Sequence, residues 1–419
     1  MAPAPEALVL DLPAVTRVAG EIITGFIRVN MQLAQEAGIE QVRIKFREAQ
    51  PSPRSITVSN GQSSTTYRDT VVLFHQKVPL WNQGSAYPEP GSHVLNVPFQ
   101  FKLPPHLPPS FHCEASNKHA TVGYSVEVVG DRPGLFKFNK RIRRPFSVVP
   151  AASPEQMLLK ESLRQNWNGP WKTWSRHEKL RRGIWGDYSH VRATILLPDI
   201  PNFPISTPIP ISFFIETDTK PMKREDCPDG PVDKHNTPLF PKPPGRSSEV
   251  RFQLYRWAQL RVRSRTRQVQ NTYRIQKSIG DPMSVAAVVH TENPPQWIPL
   301  SEKDEKGKGF WRRGIKFESS VVLNFAPTWQ GATLEWKYQL VFITPFAGIG
   351  NDFKVFIPIR LETGAPCPPP PMGIAGSSTS AGVASYADVL PPGPPPMLDD
   401  LPPAYWAGDH HGWDGDEKN

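Results

Sequence analysis

Apolar residues occupy every second position in segment after segment of this chain. In residues 42–46, for example, Val42, Ile44 and Phe46 alternate with Arg43 and Lys45. The pattern recurs at 95–103, 122–128, 191–197, 209–215, 334–342 and 353–361. A strand with one apolar and one polar face is typical of antiparallel sheets, and many such strands separated by turns indicate β-sandwiches or barrels.

Helices are expected to be few. The sequence has 49 prolines among 419 residues, which is roughly twice the usual frequency, and proline interrupts helices. The strongest helical signal covers residues 153–165, where Ser153 suits the N-cap and Pro154 the first helical position. We therefore predict an all-β fold of two antiparallel sandwiches, with this helix between them.

Length and patterning divide the chain into four parts. A chain of 419 residues exceeds one ordinary core and suits two domains with a tail. We predict an N-terminal sandwich over residues 1–150, a connector over 151–186, a C-terminal sandwich over 187–362 and a disordered proline-rich tail over 363–419. Within the C-terminal sandwich, the polar, proline-rich stretches 218–248 and 291–311 are predicted to be long loops. The tail has too little apolar surface to offset the entropy of ordering.

The sequence shows no motif for catalysis. Its three cysteines have no paired spacing, so they suit neither a disulfide framework nor a zinc site. No Walker-type phosphate loop, nucleophile elbow or His-Glu-x-x-His motif occurs, so we predict neither an enzyme nor a cofactor. No apolar run has the length of a membrane span, and the first residues make a poor signal peptide, so a cytoplasmic protein is expected.

Basic residues form two clusters that suit anionic partners. The formal net charge of +9 favours such partners in general. On a single strand the alternating arginines of residues 260–268 would share one face and could hold phosphate; they are Arg261, Arg263, Arg265 and Arg267. The second cluster could contact anionic lipid; it comprises Lys137, Lys140, Arg141, Arg143 and Arg144. An ordinary solvated surface is the alternative for both clusters, and no motif points to nucleic acid.

Residues 398–406, LDDLPPAYW, contain a Pro-Pro-x-Tyr motif. Its residues are Pro402, Pro403 and Tyr405. Prolines favour the polyproline II conformation in advance of binding, and WW domains hold such segments in aromatic-lined grooves. Chance is the alternative, because a proline-rich segment produces such motifs more often than average sequence does.

The motifs of the first half resemble the N-terminal domain of the α-arrestins. The resemblance rests on AGEIITGFIRVN at 19–30, on PLWNQGSAYPEPGSHVLNVPFQFKLPPHLPPSF at 79–111, and on VGYSVEVV and KRIRRPFSVV further along. The segments VRATILLPDIPNFP, EVRFQLYRWAQLRVRS and DFKVFIPIRL resemble parts of the C-terminal arrestin domain. In all, the resemblance extends over residues 8–362.

The resemblance implies two tandem immunoglobulin-like sandwiches and a non-catalytic adaptor of the fungal type. Such an adaptor binds a WW-domain HECT-type ubiquitin ligase through its Pro-Pro-x-Tyr motif and places the ligase beside an integral membrane cargo, a transporter or receptor, for ubiquitin-dependent endocytosis. Peripheral association with the plasma membrane or endosomes is implied as well. The alternative is an arrestin-fold trafficking or signalling scaffold that binds phosphorylated or acidic partners without recruiting a ligase.

Overall fold

Nearly every element in the described residues is a β-strand, as the alternating pattern predicts. The computed structural model describes residues 6–13, 15–49, 54–59, 64–69, 75–115, 118–134, 137–181, 188–225, 242–262, 265–276, 289–301, 307–331, 334–346, 351–363 and 365–368. The predicted all-β architecture of antiparallel sandwiches is confirmed.

The N-terminal sandwich contains two sheets that face each other. Its elements are β1 (Leu8–Asp11), β2 (Arg17–Val18), β3 (Ile22–Asn30), α1 (Met31–Glu36), β4 (Gln41–Ala49), β5 (Arg54–Ser59), β6 (Ser64–Asp69), β7 (His75–Asn82), β8 (Val94–Lys102), β9 (Phe111–Ala115), β10 (Lys118–Asp131), β11 (Lys140–Phe146) and β12 (Val148–Val149). One sheet has the order β1-β3-β8, and the other has the order β6-β5-β10-β4-β7 with β9 and β11 also paired to β10. The two-residue strands β2 and β12 pair in parallel.

The alternation of β4 decides which side of its sheet is buried. Ile44 and Phe46 are buried together with Val126 and Val128 of the neighbouring strand β10, and Ile27 of the facing sheet belongs to the same core. Residues between them in sequence point to the opposite side of the sheet, because strand side chains alternate. One face of this sheet therefore forms the core, and its outer face is left for polar and charged residues.

The C-terminal sandwich is also built from two facing sheets. After α2 (Pro154–Arg164) come β13 (Trp171–Arg181), β14 (Tyr188–Pro198), β15 (Phe203–Pro204), β16 (Ile209–Asp218), β17 (Met222–Lys223), a 3-10 turn at Ser247–Glu249, β18 (Arg251–Val262), β19 (Arg265–Gln276), β20 (Val289–Pro299), β21 (Lys308–Val321), β22 (Trp329–Gln330), β23 (Leu334–Thr344), β24 (Phe353–Ile359) and β25 (Leu361–Glu362). One sheet has the order β13-β14-β16-β21, with β17 and β20 paired to β21; the other has the order β19-β18-β23, with β22 and β24 paired to β23. The rings of Phe213 and Phe342, one from each sheet, stack 5.7 Å apart between them.

The predicted helix between the sandwiches is present as α2. Its N-terminus carries a capping box, in which the Ser153 hydroxyl accepts the Gln156 N–H at 3.3 Å and the Gln156 side chain accepts the Ser153 N–H at 2.7 Å. Gln156 also donates its amide to the carboxylate of Glu362, which accepts the Asn202 amide as well. The helix start is thereby held against the last strand of the C-terminal sandwich.

Replacing Ser153 by alanine is expected to lower the free energy of unfolding by about 1 kcal/mol, because the Gln156 N–H loses its acceptor. The shift of the urea midpoint measures this loss. Ser153→Thr keeps a hydroxyl at the cap and is expected to change the free energy by less than about 0.5 kcal/mol. An unchanged midpoint in Ser153→Ala would show that the cap contributes nothing to the stability of the folded chain.

Two expectations about the C-terminal half are wrong. Residues 171–181 were expected in the connector but form β13, which pairs with β14 along its whole length. Residues 291–311 were expected to be a long loop, but most of them belong to the paired strands β20 and β21. Pro294 and Pro295 fit within β20 because it is an edge strand whose register shifts between Asn293 and Gln296, and proline is tolerated at such bulges.

Other parts of the predicted organisation fall only partly within the described residues. Of the stretch 218–248, the structure describes residues 218–225, which include β17, and residues 242–248. Residues 226–241 lie outside the described residues. So do residues 369–419, which include most of the predicted tail and the whole Pro-Pro-x-Tyr motif.

Candidate interaction surfaces

The arginine stretch that was predicted to form one strand is a β-hairpin. The first strand, β18, ends at Val262, and the second, β19, begins at Arg265. Arg261 therefore lies on one strand and Arg267 on the other, while Arg263 lies outside the described residues. The alternation that would place all four arginines on one face does not run through this segment. Phosphate binding at these residues stays a prediction.

The second predicted cluster is divided by the strand that carries it. Arg141 and Arg143 lie on one side of β11, whereas Lys140 and Arg144 lie on the other side, because strand side chains alternate. Lys137 precedes the strand. Only Arg141 and Arg143 belong to the outer face of the N-terminal sheet, opposite Val129 and Glu127 in the register, respectively.

The outer face of this sheet collects cations from three strands. Strand β4 contributes Arg43 and Lys45, β7 contributes Lys77, and β11 contributes Arg141 and Arg143; we call these five residues the basic face. In one row across the sheet, Lys77, Lys45, Glu127 and Arg143 are successive register partners. In the next row the order is Arg43, Val129 and Arg141. The contribution of β4 and β7 is what sequence analysis missed.

Hydrogen bonds and ion pairs hold the arginines of the basic face in place. Arg43 pairs with Asp131 at 2.8 Å, and Arg141 lies 3.5 Å from the carboxylate of Glu127. The Nε of Arg143 donates to the hydroxyl of Ser125 at 3.1 Å. Glu127 is only 3% exposed, so the side chains around it cover its negative charge.

Cations outnumber carboxylates on this face. Among the described side chains of this face, the five cations are accompanied by Glu127 and Asp131, which leaves an excess of three positive charges. Lys77 is exposed, and the arginines are partly exposed. Arginine and lysine stems can lie along a surface while their charged groups stay in water. A basic surface of this kind attracts anionic lipid headgroups or other extended polyanions.

A buried arginine lies where the two sandwiches meet. Arg256 of β18 is 1% exposed, and its Nη2 donates to the backbone carbonyl of His112 in β9 at 2.9 Å. Its guanidinium lies 4.6 Å from the ring centre of Phe111. The ring of Phe111 also stacks on the ring of Trp336 in β23, with the two ring centres 3.9 Å apart. These contacts tie a strand of the N-terminal sandwich to two strands of the C-terminal one.

Sequence analysis missed this junction, although the pattern of β18 contains a signal for it. The buried residues of that strand fall at alternate positions: Phe252, Leu254, Ala258 and Leu260. Arg256 occupies the position between Leu254 and Ala258 on the same side. A charged residue on the apolar face of a strand is rarely buried without a partner. That position could have marked a specific contact beyond the sandwich's own core.

A groove of about 650 Å³ opens at one edge of the C-terminal sandwich, between β13 and β14 on one side and β22, β23 and β24 on the other. We call it the edge groove. Trp174 and Trp329 contribute aromatic surface, and Lys172 lies 5.3 Å over the ring of Trp174. Exposed cations at its rim are Lys172, Lys337 and Arg360, and carboxylates are present at Asp199 and Glu335.

Within the described ranges, no group of three or more histidine, cysteine, aspartate or glutamate side chains is arranged to hold a metal ion. In the same residues no helix is long and apolar enough to cross a membrane.

Comparison with known proteins identifies the N-terminal sandwich. Residues 8–153 match the family model described as Arrestin (or S-antigen), N-terminal domain. The matched residues are about a third of the chain and coincide with β1 to β12. No curated protein matches the chain. The match thus shows an arrestin N-terminal domain in this part of the chain.

Proposed function

We propose that this protein is an α-arrestin-type adaptor that links an integral membrane cargo to a WW-domain HECT-type ubiquitin ligase. The observation that carries the proposal is the combination of an arrestin N-terminal domain with a Pro-Pro-x-Tyr motif in one chain. The arrestin-like body supplies large sheet faces for a protein partner or a membrane. The motif supplies a short polyproline ligand of the kind that WW domains bind.

In this proposal the basic face brings the body to the cytoplasmic side of a membrane. Anionic lipids give that surface a negative potential, and basic residues near it are attracted within a Debye length. Because the basic face belongs to a rigid sheet, its five cations can meet the surface together. Peripheral binding to the plasma membrane or to endosomes would then place a cargo and the ligase on the same surface.

The proposal predicts that Tyr405→Ala weakens binding of an isolated WW domain from a HECT-type ligase by more than about tenfold, because aromatic anchors carry much of the energy of short-peptide recognition. Fluorescence anisotropy with a labelled WW domain and the full chain measures the affinity. Tyr386→Ala is the matched control, since Tyr386 also lies between residues 369 and 419 but follows no proline pair. Equal affinities of the native and Tyr405→Ala chains would remove the ligase link.

Ubiquitination in cells distinguishes the adaptor from the alternative scaffold. If the motif recruits a ligase, ubiquitination of this protein or of its cargo falls in Tyr405→Ala and persists in Tyr386→Ala. If both variants are ubiquitinated like the native chain, the arrestin fold serves a scaffold that binds phosphorylated or acidic partners and the tail motif is idle.

A further inference from the structure

The edge groove has the chemical character of a site for a proline-rich ligand. Trp174 and Trp329 are half-buried and contribute aromatic surface, and Pro198, Pro201 and Pro358 add rigid apolar surface beside them. Segments in the polyproline II conformation dock on aromatic side chains and need few backbone donors from the site. A volume of about 650 Å³ lies within the range of sites that enclose a small ligand.

Strands β22 and β24, which both border the groove, pair with the same side of β23. Strand β22 pairs with β23 at Glu335 and Trp336, and β24 pairs with β23 from Tyr338 onward. Lys337 lies between these two pairings and is exposed. The groove is open to solvent and is not a closed internal cavity.

The charges at the rim favour an acidic segment. Three exposed cations line the groove together with two carboxylates; they are Lys172, Lys337, Arg360, Asp199 and Glu335. The chain itself contains a segment with matching properties: in residues 398–406 the acidic pair Asp399 and Asp400 precedes two prolines, a tyrosine and a tryptophan.

We propose that the edge groove binds residues 398–406 of the same chain. The prolines and Tyr405 would pack against the two tryptophans of the groove, and the aspartates would lie near Lys172 and Lys337. The inference deepens the proposed function and rests on it in one respect, because the docked residues are the same ones that a WW domain would bind. Docking and ligase binding would then exclude each other.

Tethering makes a weak site sufficient. Arg360 lines the groove, and the described chain ends at Pro368, so 33 residues separate it from Pro402. That number of residues can span up to about 110 Å when extended, which is ample for a return to the groove. A tether of this kind gives an effective concentration of about a millimolar. If the groove binds the segment with a dissociation constant about tenfold below this effective concentration, it is occupied most of the time. The apparent affinity of the chain for a WW domain then falls by about the same factor.

The first experiment measures docking without any WW domain. A fluorescein-labelled peptide of residues 398–406 is titrated with the full chain carrying Tyr405→Ala, whose own segment competes less. We expect saturable binding at submillimolar concentrations. Combining Lys172→Glu with Lys337→Glu is expected to weaken the peptide's affinity more than fivefold, because two attractive charges become repulsive.

A matched variant controls for net charge. Lys179→Glu combined with Lys354→Glu makes the same charge change on the same two strands or their neighbours, but neither residue lines the groove. We expect this control to bind the peptide like the parent chain. Absence of binding up to millimolar protein, or equal weakening in both double variants, would overturn the proposal. Melting temperatures of both variants establish that each is folded.

The second experiment separates this inference from the proposed function. An isolated WW domain is titrated with the free peptide, with the native chain and with the Lys172→Glu, Lys337→Glu chain. The groove variant is expected to bind the WW domain about five- to tenfold more tightly than the native chain does, because the motif is released. Equal affinities of native and variant chains would overturn self-docking. Failure of the WW domain to bind even the free peptide would instead overturn the ligase link and leave the docking result standing.

Discussion

Replacing Phe111 by alanine is expected to lower the free energy of unfolding by about 3–5 kcal/mol, the usual cost of removing a large aromatic side chain from a packed core. Phe111 is fully buried, stacks on Trp336 at 3.9 Å and lies beneath the guanidinium of Arg256 at 4.6 Å. The substitution therefore leaves a cavity at the junction of the sandwiches and removes one wall around a buried charge. Urea unfolding followed by tryptophan fluorescence measures the change.

Two further variants give this prediction its control. Phe111→Leu keeps most of the apolar volume and is expected to cost less than about 2 kcal/mol. Phe138→Ala removes the same side chain from a site that is 61% exposed and is expected to leave stability within about 0.5 kcal/mol of the parent. If Phe111→Ala were as mild as Phe138→Ala, the contacts around Arg256 would contribute nothing to the stability of the folded chain.

The strands that sequence analysis predicted well are those with one fully buried face. Residues 209–215 and 334–342 are examples, and both lie within observed strands, β16 and β23. Alternation is a local signal, because it depends only on which side of a strand faces the core. It therefore locates central strands without any knowledge of their neighbours.

The errors fall where that local signal is weak. Strand β13 lies at a sheet edge and buries only Leu180 completely among its residues, so its sequence shows little apolar alternation. Strand β20 carries two prolines at a bulge, which resembles a loop in sequence. In the arginine stretch the polar alternation continues from one strand of a hairpin to the next, so it gives no sign that the chain reverses.

The candidate surfaces depend on register, which sequence alone does not supply. Arg141 and Arg143 were predicted to contact anions, but Arg43, Lys45 and Lys77 come from strands distant in sequence. The five cations come together only because β4 pairs with β7 and β10, and β10 pairs with β11. The edge groove likewise combines residues that are far apart in sequence, from Lys172 in β13 to Arg360 after β24.

Neutralising three cations of the basic face is expected to weaken binding to anionic vesicles by roughly 100-fold, since each lysine or arginine near such a membrane contributes about 1 kcal/mol. The variant combines Lys45→Gln, Lys77→Gln and Arg143→Gln. It leaves the Arg43–Asp131 and Arg141–Glu127 pairs unchanged, so both carboxylates keep an arginine partner. Co-sedimentation with phosphatidylserine-containing vesicles measures binding.

The control is a triple variant with the same net charge, whose three substitutions lie outside the basic face. Lys172→Gln, Lys179→Gln and Lys354→Gln remove three lysines from the C-terminal sandwich, and this chain is expected to bind vesicles like the parent. Raising the salt concentration should weaken binding of the parent more than that of the basic-face variant, because screening acts on the charges that the variant lacks. If both triple variants lose affinity equally, net charge and not the basic face attracts the membrane. If neither loses affinity, this surface has no part in membrane binding.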